Sequence, residues 1–338
     1  MVSVIIPTYN RAELLGQTLR SILALKTSCD LFEIIVVDNG SSDETAYVVK
    51  EFQAKTANLF YFFDEIPGLL TGRHRGANEA KGDILSFIDD DVELSETWLD
   101  TIIEVMENNS KIELLTGPNL PKFESLQPDW LSYFWTYEKF GKHCGWLSLL
   151  DFGQEMKEID PHYVWGLNFT IRKNTFLKLK GFHPDNMPQE FQLFQGDGET
   201  GLALKARKQG IKAFYHPKVA LNHFVPTSRL TYEYFEKRAF YQGVANSFSH
   251  LKGDEPIEQN NKNFNAFFVK KVMRKIGNIL KNNNQISVPL EILKLKKNLH
   301  QKQNEGFDFH QQQFNENQKV KNWVLKSDYL DYQIPQND

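Results

Sequence analysis

The chain has 338 residues, of which 41% are hydrophobic and 24% charged, and its formal net charge at pH 7 is −4. This is ordinary globular composition, sufficient for one or two domains with a substantial core. No uninterrupted apolar run approaches the ~18 residues of a membrane span, and no signal-peptide pattern precedes the first strand. Cys29 and Cys144 fit neither a disulfide framework nor a zinc site. We therefore expect a soluble, cytoplasmic protein with reduced thiols.

Charge is distributed unevenly along the chain. Residues 1–250 contain 25 Lys and Arg against 33 Asp and Glu, whereas residues 251–338 contain 14 against 10. The composition also shifts near residues 253–256, where Gly, Asp, Glu and Pro follow one another. This shift indicates a boundary, beyond which the chain is basic and rich in Asn and Gln.

Apolar runs predict seven strands with helices between them. The runs lie near residues 2–7, 33–38, 58–63, 84–89, 112–117, 163–171 and 212–224. Continuous Val and Ile runs that alternate with helical segments are typical of a parallel sheet covered on both faces. Such sheets bind ligands beyond the carboxyl ends of their strands. Thr8, Tyr9 and Asp38 fall at such ends, so we expect them to converge on one crevice.

Three carboxylates, Asp89, Asp90 and Asp91, follow the apolar run over residues 84–88. Carboxylates this close raise one another's pKa unless a cation neutralises them, and hard oxygen ligands suit Mg²⁺ or Mn²⁺. Because strand side chains alternate, Asp89 and Asp91 are expected on one side and Asp90 on the other. The triplet therefore predicts a divalent metal site, with an acidic loop that solvates a strand end as the alternative.

Four segments occur in an order that resembles family 2 glycosyltransferases of the GT-A fold: VSVIIPTYNR, EIIVVDNGSSDET, GRHRGANEAKGDILSFIDDD and GDGETGLALKARKQG. The resemblance implies an α/β, Rossmann-like fold with a mostly parallel sheet flanked by helices. It covers about residues 1–225, with a nucleotide-binding half over about 1–91 and an acceptor half over 92–225. Residues 226–338 are expected to form a mainly helical C-terminal region.

The resemblance also implies how a nucleotide-sugar donor is held. In the family, residues matching Thr8, Tyr9, Asp38 and Arg73 hold the base and ribose. Asp38 can accept the N3–H of uracil and Arg73 can donate to its carbonyls, which favours a UDP-sugar over the GDP- and dTDP-sugars that stay open. Arg75 is an alternative to Arg73, because the familiar Ala-Arg-Asn reads Gly-Arg-His here.

The metal is expected to be Mn²⁺ or Mg²⁺. By resemblance, Asp91 is its principal ligand, while Asp89 contacts the ribose or sugar and is a second candidate ligand. His223 resembles a histidine that completes the metal shell in some relatives. A packed or solvent-facing histidine is the alternative at that position.

The catalytic base is expected in the segment over residues 196–202. Anchoring the family's Glu-Asp-x-x-Leu pattern on Leu202 places Glu199 at the base and Gly198 at the first acid. Asp197 then takes the supporting role or is itself the base. Alternatively, both acids cap the following helix.

Three residues resemble the acceptor-side strand of the family: Trp165, Gly166 and Asn168. Trp165 is expected to stack on a sugar, Gly166 to permit close approach of a substrate, and Asn168 to hydrogen-bond sugar hydroxyls. A core tryptophan and a strand-bulge glycine are the alternatives.

The predicted reaction is inverting transfer of a sugar to a hydroxyl of a glycan, a lipid-linked saccharide or a protein. Glu199 or Asp197 takes the hydroxyl proton as the diphosphate leaves from the opposite face. No nucleic-acid partner is expected. A sugar nucleotidyltransferase and a catalytically silent nucleotide-sugar-binding protein are the alternatives, and the distant acids at 197 and 199 argue against both.

The basic C-terminal part contains an amphipathic pattern. Apolar residues recur at helical spacing at Phe264, Phe268, Val272, Ile276 and Leu280, with basic residues largely elsewhere on the helical wheel. This stripe is expected to pack on the catalytic domain or a second subunit. The alternative is peripheral contact with an anionic membrane at its inner face, next to a lipid-linked acceptor.

Overall fold

The computed structural model describes residues 1–66, 68–253 and 288–335. The amphipathic pattern from Phe264 to Leu280 lies outside the described residues, so its role stays a prediction. In the described ranges the strands are β1 (Val2–Thr8), β2 (Phe32–Asp38), β3 (Leu59–Phe63), β4 (Ile84–Ile88), β5 (Val92–Leu94), β6 (Leu114–Thr116), β7 (Asn119–Phe123), β8 (Thr136–Tyr137), β9 (Lys142–Cys144), β10 (Leu149–Asp151), β11 (Lys157–Ile159), β12 (Asn168–Arg172), β13 (Ala213–Tyr215) and β14 (Leu221–Val225). The α-helices are α1 (Ala12–Leu23), α2 (Thr45–Gln53), α3 (Leu69–Glu79), α4 (Trp98–Asn108), α5 (Lys173–Lys178), α6 (Glu199–Lys208), α7 (Tyr232–Leu251), α8 (Leu290–Glu316) and α9 (Gln318–Val324).

An eight-stranded sheet forms the centre of the fold, in the order β11-β13-β6-β12-β4-β1-β2-β3. β1 pairs in parallel with β2 and β4, and β2 with β3, whereas β12 runs antiparallel between β4 and β6. Every residue of β1, β2 and β4 is buried. Burial on both faces explains why these strands are continuous apolar runs. The predicted α/β fold with a mostly parallel sheet is confirmed.

Helix α3 packs closely against β1 through two glycines. A Cβ at Gly72 would lie 2.5 Å from Pro7 Cβ, and a Cβ at Gly76 would lie 2.3 Å from Ile5 Cγ2. The two glycines are four residues apart and therefore share one face of the helix. Because neither carries a side chain, α3 lies directly on the strand, which brings Arg73 to the carboxyl end of the sheet.

The prediction of one strand over residues 212–224 is wrong. β13 ends at Tyr215 and β14 begins at Leu221, with a turn between them in which Val219 N–H donates to His216 O. β13 stays in the main sheet, whereas β14 joins a six-stranded sheet in the order β5-β14-β7-β10-β9-β8. Pro217 contributes to this break because it has no N–H to donate to a strand partner.

The second sheet positions one candidate metal ligand. β14 pairs antiparallel with β5, which places His223 opposite Val92, the residue that follows the aspartate triplet. The backbone N–H of Phe224 also donates to Asp91 O at 2.9 Å. Residues more than 130 positions apart in the chain therefore meet at the end of β4.

Helices α7, α8 and α9 form the C-terminal region, as predicted, and they share the core of the main sheet. Val320, Trp323 and Tyr329 belong to the same buried cluster as Phe169 and Ile171 of β12. The placement of the boundary at residue 225 stays a prediction. Among the helices of the described ranges, none is sufficiently long and apolar to cross a bilayer.

Helices α7 and α8 touch at a glycine on each side. A Cβ at Gly243 would lie 1.9 Å from Gln303 O, and a Cβ at Gly306 would lie 2.0 Å from Phe240 O. We predict that Gly306→Ala lowers the free energy of unfolding in urea by about 1–3 kcal/mol, because the helices must separate. This loss exceeds the ~1 kcal/mol that alanine gains in helix propensity.

Gly145→Ala is the matched control, since a Cβ there meets no atom within 4 Å and Gly145 has no positive φ. We expect this control to stay within about 0.5 kcal/mol of wild type. Equal stability of Gly306→Ala and wild type would show that the two helices are not in close contact.

Candidate active site

A cleft of about 1340 Å³ opens at the carboxyl ends of β1, β2 and β4. Thr8, Tyr9, Asp89 and Asp90 line it, as expected for residues that follow these strands. The cleft continues over residues 186–192 and onto α7 and α8. Three of the predicted site residues, Thr8, Tyr9 and Asp89, therefore line one cavity, and the C-terminal helices contribute to its wall.

Asp90 and Asp91 share one arginine. Arg11 Nη1 lies 2.5 Å from Asp90 Oδ1 and Arg11 Nη2 lies 2.9 Å from Asp91 Oδ2. Thr8 Oγ1 donates to the other oxygen of Asp90 at 2.8 Å, so the Thr8 hydroxyl organises this carboxylate. The predicted alternation is wrong, because β4 ends at Ile88 and the triplet lies in a turn rather than a strand.

Asp91 and His223, the two predicted metal ligands, lie side by side. His223 is buried, and its Nδ1 must donate to Leu147 O at 3.0 Å, since a carbonyl only accepts. Its Nε2 therefore accepts from Arg229 Nη1 at 2.9 Å, and it lies 3.6 Å from Asp91 Oδ1. That buried oxygen has no hydrogen-bond partner. An oriented imidazole beside an open carboxylate oxygen is suitable for a divalent cation.

Asp91 and His223 fit a metal ion whose remaining ligands come from a substrate rather than from the protein. Across the described ranges, no three His, Cys, Asp or Glu side chains are grouped to hold a metal ion by themselves. Mg²⁺ and Mn²⁺ sites of nucleotide-binding enzymes commonly use one or two protein ligands plus phosphate oxygens. The Arg229 guanidinium contacts both candidate ligands, since it lies 3.1 Å from Asp91 Oδ2 and 2.9 Å from His223 Nε2.

Asp38 lies at the end of β2 but is buried. Its Oδ1 accepts from Ser41 N–H and its Oδ2 accepts from the Tyr61 hydroxyl, each at 2.8 Å. The neighbouring Asn39 and Gly40 line the cleft. Tyr9, by contrast, is 57% exposed and presents its ring at the cleft.

Arg73 lies at the centre of the site. Its side chain is only 3% exposed, and its guanidinium lies 3.5 Å from both Asp89 and Glu199. Arg75 instead pairs with Glu79 at 2.9 Å and with Asp64 at 4.0 Å. The structure therefore places Arg73, and not Arg75, among the acidic residues of the site. Burial raises the pKa of Asp89, although the charge of Arg73 opposes this shift.

Gly166 makes room for this arginine. A Cβ at Gly166 would lie 1.9 Å from an Nη atom of Arg73, so any larger residue would displace the guanidinium. The backbone N–H of Gly166 also faces Glu199 Oε1 at 3.4 Å. The close approach expected at this glycine is thus made by a side chain of the protein itself.

The two candidate bases have different environments. Asp197 is buried and accepts hydrogen bonds from His183 Nδ1 at 2.6 Å and from Ser249 Oγ at 2.5 Å. Burial lowers the pKa of His183, which favours the neutral imidazole. Burial alone would raise the pKa of Asp197, but His183 and Ser249 lower it. The Glu199 side chain is 25% exposed and begins α6. Glu199 is therefore the accessible carboxylate.

Asn168 and Trp165 lie away from the cleft surface. Asn168 is 0% exposed, with its amide held between Trp98 Nε1 at 3.1 Å and Val219 O at 2.9 Å. The structure thus places Asn168 in the core, contrary to the expected contact with sugar hydroxyls. Trp165 is half-buried, and its Nε1 donates to His162 O at 3.0 Å.

Three charged residues of the site had no predicted role: Arg11, Arg229 and Asp185. Arg11 belongs to the first motif, so its position beside the strand end was a usable signal. Arg229 and Asp185 lie in segments without a motif, and only the fold brings them to the site. Burial and the charge of Glu199 raise the pKa of Asp185 to about 6.

Known proteins resemble this chain in sequence and in fold. Residues 3–136 match the family model described as "Glycosyl transferase family 2". The glucosyl-dolichyl phosphate glucuronosyltransferase of Haloferax volcanii is 24% identical over 285 residues, which cover 82% of this chain and 87% of that protein. The GalNAc(5)-diNAcBac-PP-undecaprenol beta-1,3-glucosyltransferase of Campylobacter jejuni is 37% identical over 105 residues, 30% of this chain and 33% of that protein.

The structure of the mannosyltransferase PcManGT from Pyrobaculum calidifontis, in complex with GDP-Man and Mn²⁺, superposes with a TM-score of 0.51. The superposition covers 98% of this chain and 77% of that chain at 16% identity, and it confirms the predicted GT-A fold. The family match spans the strands that carry the first three motifs and the aspartate triplet, and one relative aligns along most of the chain, so the chain is similar in sequence to glycosyltransferase family 2.

Proposed function

We propose that the protein transfers a sugar from a nucleotide-sugar, with inversion, to a hydroxyl of a lipid-linked saccharide. The observation that carries this proposal is the pair of ion contacts made by Arg73, 3.5 Å from Asp89 and 3.5 Å from Glu199. One buried cation links the carboxylate expected at the donor sugar to the carboxylate expected to take the proton. Donor and acceptor ends of a single displacement are therefore side by side.

The donor lies in the part of the cleft formed by β1, β2 and β4. The exposed ring of Tyr9 offers a face for the base. Asp38 is buried and bonded through both oxygens, so it supports this end of the cleft, and its neighbours Asn39 and Gly40 are the residues that face the donor. Arg73 Nη2 donates to Asp89 Oδ1 at 3.5 Å, and its buried Nε has no hydrogen-bond partner in the described part of the chain. A Mn²⁺ or Mg²⁺ ion held by Asp91 and His223 would neutralise the charge of the departing diphosphate.

Glu199 acts on the acceptor. Its carboxylate accepts the proton of the attacking hydroxyl, whose oxygen forms the new bond to the anomeric carbon as the bond to the diphosphate breaks. Asp197 is buried beneath the site and has a structural role. Its hydrogen bonds to His183 and Ser249 fix the turn from which α6 begins.

A lipid-linked saccharide is proposed as acceptor on two grounds. The Haloferax volcanii relative, which aligns over 82% of this chain, is named for glucosyl-dolichyl phosphate. The cleft also extends past the donor end, where Phe191, Phe240 and Tyr241 line it together with Lys237 and Lys302. Aromatic faces with a few polar groups are common in sites that bury part of an organic ligand.

The function is tested with a donor panel followed by a transfer assay. UDP-, GDP- and dTDP-sugars are first compared by thermal shift in Mn²⁺ and in EDTA. The stabilising donor is then incubated with a glucosyl phosphate of a short isoprenoid alcohol. We expect release of nucleoside diphosphate and a product with inverted anomeric configuration. Release of pyrophosphate would instead indicate nucleotidyl transfer, and binding without turnover would indicate a silent sugar-nucleotide-binding protein.

Asp91→Asn is expected to abolish transfer and the Mn²⁺-dependent part of the thermal shift, because it removes the charged oxygen beside His223. Glu158→Gln is the matched control, since Glu158 is an exposed residue on the edge strand β11 that pairs with Lys212. This control should keep wild-type activity. Wild-type turnover that persists in EDTA would contradict the metal dependence.

Glu199→Gln should reduce transfer about 10²- to 10⁴-fold while the donor still stabilises the protein, because a positioned base contributes that much. Asp197→Asn should instead lower the free energy of unfolding by about 1–3 kcal/mol, because it disturbs a buried hydrogen-bond network. Rates and urea unfolding are measured for both variants. An active Glu199→Gln beside a stable but inactive Asp197→Asn would show that Asp197 is the base.

A further inference from the structure

Residue 198, where the resemblance expects the first acid of a pair, can only be glycine. Gly198 has φ +57° and ψ −128°, a conformation that residues with a side chain rarely adopt. A Cβ there would also lie 2.7 Å from Asp185 Oδ2. The carboxylate that the sequence lacks at position 198 is therefore replaced in space by one from position 185.

The loop over residues 183–198 holds this carboxylate in place. Its two ends are joined by His183 N–H donating to Gly198 O and by Gly198 N–H donating to Pro184 O, both at 3.2 Å. Asp185 Oδ1 accepts from Gln195 Nε2 at 2.9 Å and from Asn186 N–H at 2.8 Å. Because Asp185 directly follows Pro184, closure of the loop fixes its backbone beside Gly198.

The second oxygen of Asp185 is not engaged by the loop. Within the described residues, Asp185 Oδ2 accepts no hydrogen bond, whereas Oδ1 accepts two. The adjacent Asn186 and Met187 line the cleft. A carboxylate that is anchored through one oxygen and open at the other is typical of a ligand-binding group rather than of a structural ion pair.

Holding Asp185 here is electrostatically costly. Burial and the nearby charge of Glu199 both disfavour its ionised form, and Arg73 compensates only in part. Unfavourable carboxylate clusters of this kind concentrate at functional sites. The loop therefore maintains a second acid beside Glu199 at some cost to stability.

We propose that Asp185 positions the acceptor: its Oδ2 accepts a hydrogen bond from a hydroxyl of the acceptor sugar that neighbours the hydroxyl deprotonated by Glu199. The acceptor is then a sugar with two adjacent free hydroxyls, each held by one carboxylate. During transfer only the hydroxyl at Glu199 loses its proton, and the hydroxyl at Asp185 stays intact. This inference rests on the proposed function.

Asp185→Asn tests the proposal because asparagine keeps Oδ1 as an acceptor for Gln195. It replaces the charged Oδ2 with an amide nitrogen, which cannot accept a hydrogen bond. We expect kcat/KM for the glucosyl isoprenoid phosphate to fall at least tenfold, mainly through a higher KM. The Kd for the nucleoside diphosphate with Mn²⁺ should stay within about twofold of wild type, and Tm within about 2 °C. Removing the neighbouring hydroxyl from the acceptor should not lower kcat/KM further in Asp185→Asn. In wild type, the same removal should lower kcat/KM at least tenfold.

Each outcome decides the question. Wild type that transfers, with Asp185→Asn equal to it, overturns the inference and leaves the proposed function intact. A fall in Tm of more than about 5 °C, with an unchanged acceptor KM, assigns Asp185 a structural role and also overturns the inference. Absence of transfer by wild type overturns the proposed function and this inference together. Glu158→Gln again serves as the control for loss of one carboxylate.

Discussion

The site depends on one buried guanidinium. Arg73 is 3% exposed, and a charge removed from water at this depth is tolerated only when it is paired. Its partners come from two distant parts of the chain, Asp89 after β4 and Glu199 at the start of α6. The nucleotide-binding side and the acceptor side of the cleft are therefore joined electrostatically as well as by the sheet.

Glycines make this pairing sterically feasible. Gly72 and Gly76 allow α3 to lie on β1, and Gly166 leaves the space that the Arg73 guanidinium fills. A side chain at Gly72 or Gly76 would push α3 away from β1, and one at Gly166 would collide with the Arg73 guanidinium itself. The flat face of Phe182, 5.2 Å from the Arg73 guanidinium carbon, completes the pocket. The local backbone thus prearranges a fixed positive charge between two carboxylates, as expected of electrostatic preorganisation.

Much of the fold followed from the sequence because its strands are long apolar runs. β1, β2 and β4 lie within two residues of their predicted bounds, and their burial on both faces is the physical reason. The strand predicted over 163–171 begins only at Asn168, because residues 161–163 form a 3-10 helix. Short strands give weaker signals, since a turn of a few residues is enough to divide them.

From the residues alone, the site was predictable where residue type and strand end coincide, whereas Arg73 and Glu199, which lie in helices, were expected from the family resemblance. Thr8, Tyr9 and Asp89 met both conditions and line the cleft. Asn168 did not, because its core partners, Trp98 and Val219, are more than 50 residues away in either direction. The same limit applies to the C-terminal segment. His74 Nδ1 donates to Tyr329 O across 255 residues, a contact that no local pattern indicates.

The most direct measurement of the central claim compares Arg73→Lys with Arg75→Lys in the transfer assay. Lysine keeps the charge but replaces a planar fork with a single ammonium, so it cannot hold two separate carboxylates in the same way. We expect kcat/KM to fall at least tenfold for Arg73→Lys and to stay within about twofold of wild type for Arg75→Lys, whose partners are Glu79 and Asp64. Wild-type activity of Arg73→Lys, or equal losses in both variants, would contradict the claim that the Arg73 guanidinium organises the site.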